Sequence, residues 1–275
     1  MKEIINYNFE GKIWNTTFSE EYCILEIRDE LTRQVSFSCI NLLTGKVIWE
    51  KLKPEKSWWL SLVGIFDEYL ILHKYSSKQK PEPEAVLILN IQTGNIFERI
   101  DDWIFFNYKE NVLTVYQLQN NEPVYRDVKL ITLSSVGTRT TAESLTSSSV
   151  GTLTTVESLQ QVECRPSHNS IIETTHYPED SPHFPTIYKF LYRLLNIDAV
   201  KAVDYLEISN IIIISYYIYR DKSFQNYLLV TNRSRQILLN DLIAETEGIG
   251  IDTFTVKSDT LLYVKNQTQF VGYKL

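Results

Sequence analysis

The chain has 275 residues, with 27 Lys and Arg against 34 Asp and Glu, for a net charge of −7. An apolar content of 44% excludes a disordered chain, and the acidic balance excludes the basic face that nucleic acid requires. Only 9 glycines leave no phosphate-cradling loop, and no apolar run approaches the roughly 18 residues of a membrane span.

In chain order, the first segment reads Met1-Lys2-Glu3-Ile4-Ile5-Asn6, with no apolar run leading to a cleavage site. Cys23, Cys39 and Cys164 are odd in number and lack metal-ligand spacing. Together these features predict a reduced, cytoplasmic chain. Segment 4–9 is a strand candidate. In 22–28, Cys23, Leu25 and Ile27 alternate with Glu26 and Arg28, and 35–39 alternates likewise, which is the pattern of half-buried strands. Segments 85–91 and 210–219 are apolar almost throughout and suit strands covered on both faces.

The strands recur in pairs. Residues 37–49 read F-S-C-I-N-L-L-T-G-K-V-I-W, and 86–98 read V-L-I-L-N-I-Q-T-G-N-I-F-E, with Gly45 and Gly94 in equivalent Thr-Gly turns that need positive φ. A degenerate copy, 228–239, carries Arg235 in place of glycine. Further strands fall at 69–74, 112–118, 124–133, 261–265 and 269–273. A β-hairpin period of 40 to 50 residues predicts an all-β fold, a single β-propeller domain of five or six blades over 1–275, with 4–9 completing the last blade. A β-sandwich or two separate sheets is the alternative.

Two segments interrupt the pattern. Residues 134–161 are a Ser/Thr-rich tandem duplication, S-S-V-G-T-R-T-T-A-E-S-L followed by S-S-V-G-T-L-T-T-V-E-S-L, and read as a flexible loop insertion. Residues 182–196 read as one short helix. Ser181 is its expected cap, and Phe184, Ile187, Tyr188, Leu191, Leu194 and Leu195 form its apolar face.

The hairpins resemble the repeats of quinoprotein-type propellers. More specifically, the stretches I-R-D-E at 27–30, S-W-W-L-S-L at 57–62, H-Y-P-E-D-S-P-H-F at 176–184, A-V-D-Y-L-E at 202–207, I-S-Y-Y-I-Y at 214–219, N-Y-L-L-V at 226–230 and G-I-G-I-D-T-F at 248–254 resemble an uncharacterised bacterial family of quinoprotein-like propellers, a domain of unknown function. The resemblance implies a fold and no activity. The quinoprotein dehydrogenases do not carry over, because the chain has no adjacent cysteine pair and too few residues for eight blades.

The densest polar cluster is 168–183, with His168, Glu173, His176, Tyr177, Glu179, Asp180 and His183 in what reads as a Pro- and Ser-rich loop. His spacings of eight and seven residues match no metal site, so no metal and no cofactor are expected. If the chain is catalytic, His176, Asp180 and His183 are the candidate residues, aimed into a central channel. Trp58, Trp59, Tyr216 and Tyr217 are the binding candidates, since adjacent aromatics on a strand face opposite ways and one of each pair could meet a ligand. Asp204 and Asp252 read as turn caps. Two functions follow. One is a non-catalytic scaffold for a protein partner or small polar ligand. The other is a small-molecule enzyme or ligand-binding protein using the channel mouth and the 168–183 loop. No nucleic acid or membrane partner is expected.

Overall fold

The computed structural model describes residues 1–77, 79–130 and 171–275. The tandem repeat, Cys164 and His168 lie outside the described residues. Among the described residues no helix is long and apolar enough to cross a membrane.

The chain opens with β1 (Lys2–Asn8) and then builds antiparallel sheets in order. Sheet 1 holds β2 (Lys12–Phe18), β3 (Tyr22–Asp29), β4 (Gln34–Asn41) and β5 (Val47–Leu52). Sheet 2 holds β6 (Leu60–Phe66), β7 (Tyr69–Lys74), β8 (Ala85–Asn90) and β9 (Ile96–Asp101). Sheet 3 holds β10 (Ile104–Lys109), β11 (Val112–Gln119) and β12 (Glu122–Lys129). After β13 (Ile171–Ile172), sheet 4 holds β14 (Thr175–Pro178), then, beyond helix α1 (Phe184–Leu195), β15 (Val200–Ile208), β16 (Ile211–Arg220), β17 (Ser223–Asn232) and β18 (Ile237–Thr246). Sheet 5 holds β19 (Phe254–Lys257), β20 (Thr260–Lys265) and β21 (Gln269–Lys274), flanked by β13 on one edge and β1 on the other. The first strand therefore closes the last sheet, as the sequence predicts for 4–9.

The two Thr-Gly turns are built alike. Asn41 Oδ1 accepts the Thr44 N–H at 2.8 Å, and Asn90 Oδ1 accepts the Thr93 N–H at 3.0 Å. The following glycines take φ of 70° and 71°, where a side chain is costly. In the third copy Arg235 occupies the left-handed position at φ 64°, while Asn232 Oδ1 accepts the Gln236 N–H.

The cores lie between sheets rather than within one layer. Ile24, Val35 and Phe37 of sheet 1 pack with Leu60, Leu70 and Leu87 of sheet 2. The other face of sheet 1, with Cys23, Leu25 and Ile27, packs with Ile5, Leu262 and Phe270 of sheet 5. Sheets 2 and 3 share Phe66, Ile71, Ile88, Leu113 and Val115. Sheets 4 and 5 share Ile213, Leu228, Val256 and Leu261. Strand 22–28 is thus covered on both faces, not half-buried as its alternation suggests. Glu26, fully buried, is ion-paired to Arg28 at 2.6 Å and accepts the Leu62 N–H at 3.0 Å. Arg28 in turn donates to the Leu60 carbonyl at 3.0 Å, so the pair spans sheets 1 and 2. A buried charge of this kind is tolerable only with its partners in place.

Sheets 2 and 3 are tied by His73, whose Nε2 accepts the Phe105 N–H at 3.1 Å. Burial pushes this imidazole down from its ordinary 6.5 to about 4.

A Cβ at Gly45 would overlap the Ile4 carbonyl oxygen on β1, whereas at Gly94 it would meet the movable end of Leu52. Gly45→Ala should therefore cost more than about 2 kcal/mol in urea denaturation, and Gly94→Ala only about 1 kcal/mol, the left-handed penalty alone. His73 yields a second expectation. As pH falls below 6.5 the unfolded chain binds a proton that the folded chain refuses until about 4. The stability His73 supports is complete above the upper value and is lost as pH falls toward the lower one. His73→Gln keeps an acceptor for Phe105 and should remove on the order of 2 kcal/mol of the loss between about pH 7 and about pH 4.5, read by denaturation at each pH.

Candidate functional site

Sheet 4 differs from its neighbours in carrying a helix. One face packs on sheet 5. The other is covered by α1 through Phe184, Ile187 and Leu191, which meet Val203, Ile214, Tyr216 and Leu229. The helix starts two residues later than Pro182 suggests. Its N-cap is His183, without a side-chain capping bond, and Pro185 sits in the first turn, where its missing N–H costs nothing. Asn196 ends it at φ 54°, with its N–H donating to the Tyr192 carbonyl.

Segment 175–178, expected to be a loop, is strand β14, with His176 opposite Asp204 and Tyr177 opposite Val203 on β15. Neighbouring strand residues point to opposite faces. His176 consequently lies toward sheet 5 and Tyr177 toward the helix. On the sheet-5 side, Asp204 is 2% exposed and its Oδ1 lies 2.6 Å from His176 Nδ1. Its Oδ2 accepts from the Thr253 N–H at 3.1 Å and the Thr253 hydroxyl at 2.8 Å. Asp204 is thus a mid-strand link between sheets 4 and 5, not a turn cap. Asp252, expected to cap a turn as well, is exposed and accepts from the Thr174 hydroxyl at 3.3 Å. Beside Asp204, Ser215 donates to Asn226, and Asn226 donates to the Tyr217 hydroxyl.

On the helix side there is a cleft of about 300 Å³ lined by Tyr177, His183, Thr186, Ile187, Phe190, Tyr205, Ile212 and Ile214. The helical members recur at three- and four-residue steps, so one stripe of α1 forms one wall and three strands form the other. His183 lies against Tyr177, ring centroids 5.2 Å apart. The Tyr205 hydroxyl donates to Glu207 at 3.1 Å, and burial together with that carboxylate pushes its pKa up to about 12. It is therefore a neutral donor already in use.

The sequence-predicted residues separate accordingly. His176 and His183 lie on opposite faces of sheet 4, and Asp180 is exposed on the connection between β14 and α1. His176 pairs with Asp204 in Asp180's place. Tyr216 and Tyr217 are 2% and 3% exposed, which leaves neither a free face. Tyr216 stacks on Tyr227 and donates to Asn240, while Tyr217 accepts the Gly250 N–H at 2.9 Å. Trp58 and Trp59 precede β6 rather than sitting on a strand, and both are half-buried. Trp58 lies under the Arg28 and Arg33 guanidinium groups, 5.0 and 5.5 Å from its ring centre. Among the described residues, no group of three or more His, Cys, Asp or Glu is placed to hold a metal. Phe190, Tyr205 and Ile212 carry no motif. Their only sequence signals are helical spacing and strand alternation, which equally describe a core.

Among known families, the model of a domain of unknown function (DUF4905) matches residues 18–97, which fall in sheets 1 and 2. No curated protein matches the chain. Solved structures that are similar at low scores include the following two. A structure from an analysis of two prolyl endopeptidases has 9% identity and a TM-score of 0.35, covering 97% of this chain and 42% of its own. The structure of apo AztD from Citrobacter koseri has 8% identity and a TM-score of 0.25, covering 94% of this chain and 75% of its own. This chain thus spans less than half the length of the prolyl endopeptidase chain.

Asp204→Asn leaves a single acceptor oxygen where the carboxylate serves His176 with one oxygen and Thr253 with the other, and turns a donor toward one of them. Asp204→Asn should cost about 2 kcal/mol in denaturant unfolding, whereas Asp180→Asn, on an exposed connection, should stay within about 0.5 kcal/mol of the parent.

Proposed function

We propose that this chain is a β-propeller of five blades that works in the cytoplasm, and that it binds a small molecule without transforming it. The blade reading is supported by five sheets among the described residues, formed in chain order, with apolar cores shared by sheets 1 and 2, 2 and 3, 4 and 5, and 5 and 1, and with β1 completing the last. The compartment rests on the buried, free Cys23 and Cys39 and on the acidic composition. The binding site is the cleft between α1 and sheet 4.

The observation that carries this reading is the lining of that cleft. Three aromatic side chains and three isoleucines surround about 300 Å³, and His183 and Thr186 complete the lining. This is the usual composition of a small-ligand pocket, apolar walls with a few placed polar groups. Against catalysis stands the division of the candidate residues. His176 and Asp204 are oriented like a base and its partner, yet among the described residues no Ser, Thr or Cys side chain hydrogen-bonds to His176 Nε2.

The neutral dye N-phenyl-1-naphthylamine should bind saturably, one per chain, with a Kd on the order of 10 µM, read by its fluorescence rise. Thr186→Trp, at an exposed helical position, should fill the cleft and abolish the signal while leaving the melting temperature close to the parent. Unsaturable binding, or binding indifferent to Thr186→Trp, would overturn the assignment.

A further inference from the structure

Beside the aromatic cleft lies a second one of about 250 Å³, lined by Thr186, Lys189, Phe190, Arg193, Leu194 and Arg235. Thr186 and Phe190 belong to both linings, so the two clefts are neighbours along a single helical stripe. The first is walled by aromatic and aliphatic side chains. The second carries three cations and no acid.

Among the described residues no ion pair or side-chain hydrogen bond joins Lys189, Arg193 or Arg235 to a carboxylate. This contrasts with Arg28, Lys74, Arg99 and Lys265, each of which is paired. The nearby acid, Glu207, is taken by Arg233 at 2.7 Å and by the Tyr205 hydroxyl. In a chain of net charge −7, a cavity lined by three cations and no acid is a local reversal of sign. Two come from successive turns of α1, and the third from the β17–β18 turn, the degenerate copy of the Thr-Gly hairpin. There Arg235 stands where glycine would be easiest, at φ 64°. Arg235 lines the cleft together with residues of the helix that sheet 4 carries.

Resting on the binding reading above, we infer that the ligand is an aromatic anion: a flat apolar group seated among Tyr177, Phe190, Tyr205 and Ile212, with a carboxylate, sulfonate or phosphate ester held by Arg193, Arg235 and Lys189. Guanidinium groups hold such anions by paired, charge-assisted hydrogen bonds, which are stronger than neutral ones. The positions are exposed, so the attraction weakens with salt but does not vanish for a group drawn partly into the cleft.

The test uses two dyes that differ by one sulfonate, 8-anilinonaphthalene-1-sulfonate and N-phenyl-1-naphthylamine, titrated into the full chain. The anion is expected to bind at least about tenfold more tightly than the neutral dye. Arg193→Gln/Arg235→Gln should erase that advantage and leave the neutral dye unchanged, and Arg193→Lys/Arg235→Lys should restore part of it. Equal affinity for the two dyes, or an equal loss of both in the glutamine variant, would overturn the anion assignment while leaving the cleft as an apolar site. Failure of both dyes to bind would overturn the cleft and the anion site together.

Discussion

The structure depends on one constraint. Sheets 1, 2, 4 and 5 each contribute apolar side chains to two cores, one on either face, so none of them can be stable alone. Strand β3 contributes Cys23, Leu25 and Ile27 to one core and Ile24 to another. Each of these four must therefore be covered twice, and apart from the helix on sheet 4 the cover is a neighbouring sheet. The polar groups that these interfaces enclose survive because they are bonded across them. Glu26 is held by Arg28 and the Leu62 amide, His73 by the Phe105 amide, and Asp204 by His176 and Thr253. These links set the register between sheets, since a buried charge or imidazole displaced from its partner would cost more than the apolar contact around it supplies.

Sheet 4 meets the same requirement differently. Its second face is covered by α1, and a cylinder laid on a twisted sheet cannot fill the space along its own flank. The cleft arises there. Chemistry that the sequence concentrates in 168–183 is divided by that arrangement. One side of β14 sends His176 into a structural link, and the other sends Tyr177 into the cleft wall. Placement on a strand, with its period of two, is what separates residues that a loop would have allowed to converge.

Much of the fold was legible because hairpin chemistry is local. Asn41, Thr44 and Gly45 announce a turn through their own backbone demands, and Asn90, Thr93 and Gly94 repeat it. The helix was legible from the spacing of Phe184, Ile187 and Leu191. Strand β14 was not, because Thr175–Pro178 carries a proline and is short, and only pairing with β15 makes it a strand. His73 is a lone histidine in an apolar run with no motif around it, and only the packing of sheets 2 and 3 shows the burial that lowers its pKa. Tyr216 and Tyr217 have the composition of a recognition surface, and only their burial shows that their hydroxyls are spent inside.

The sequence by itself determined an all-β chain of hairpins, one helix near residue 184, and the positive-φ turns at Gly45 and Gly94, because each follows from contacts between residues close along the chain. Tertiary structure alone decided which face each side chain occupies relative to another sheet. It set His176 against Asp204 rather than Asp180, and it brought Arg235, from a turn, beside Arg193, from a helix. Such pairings join residues tens of positions apart, and no local periodicity encodes the distance between them.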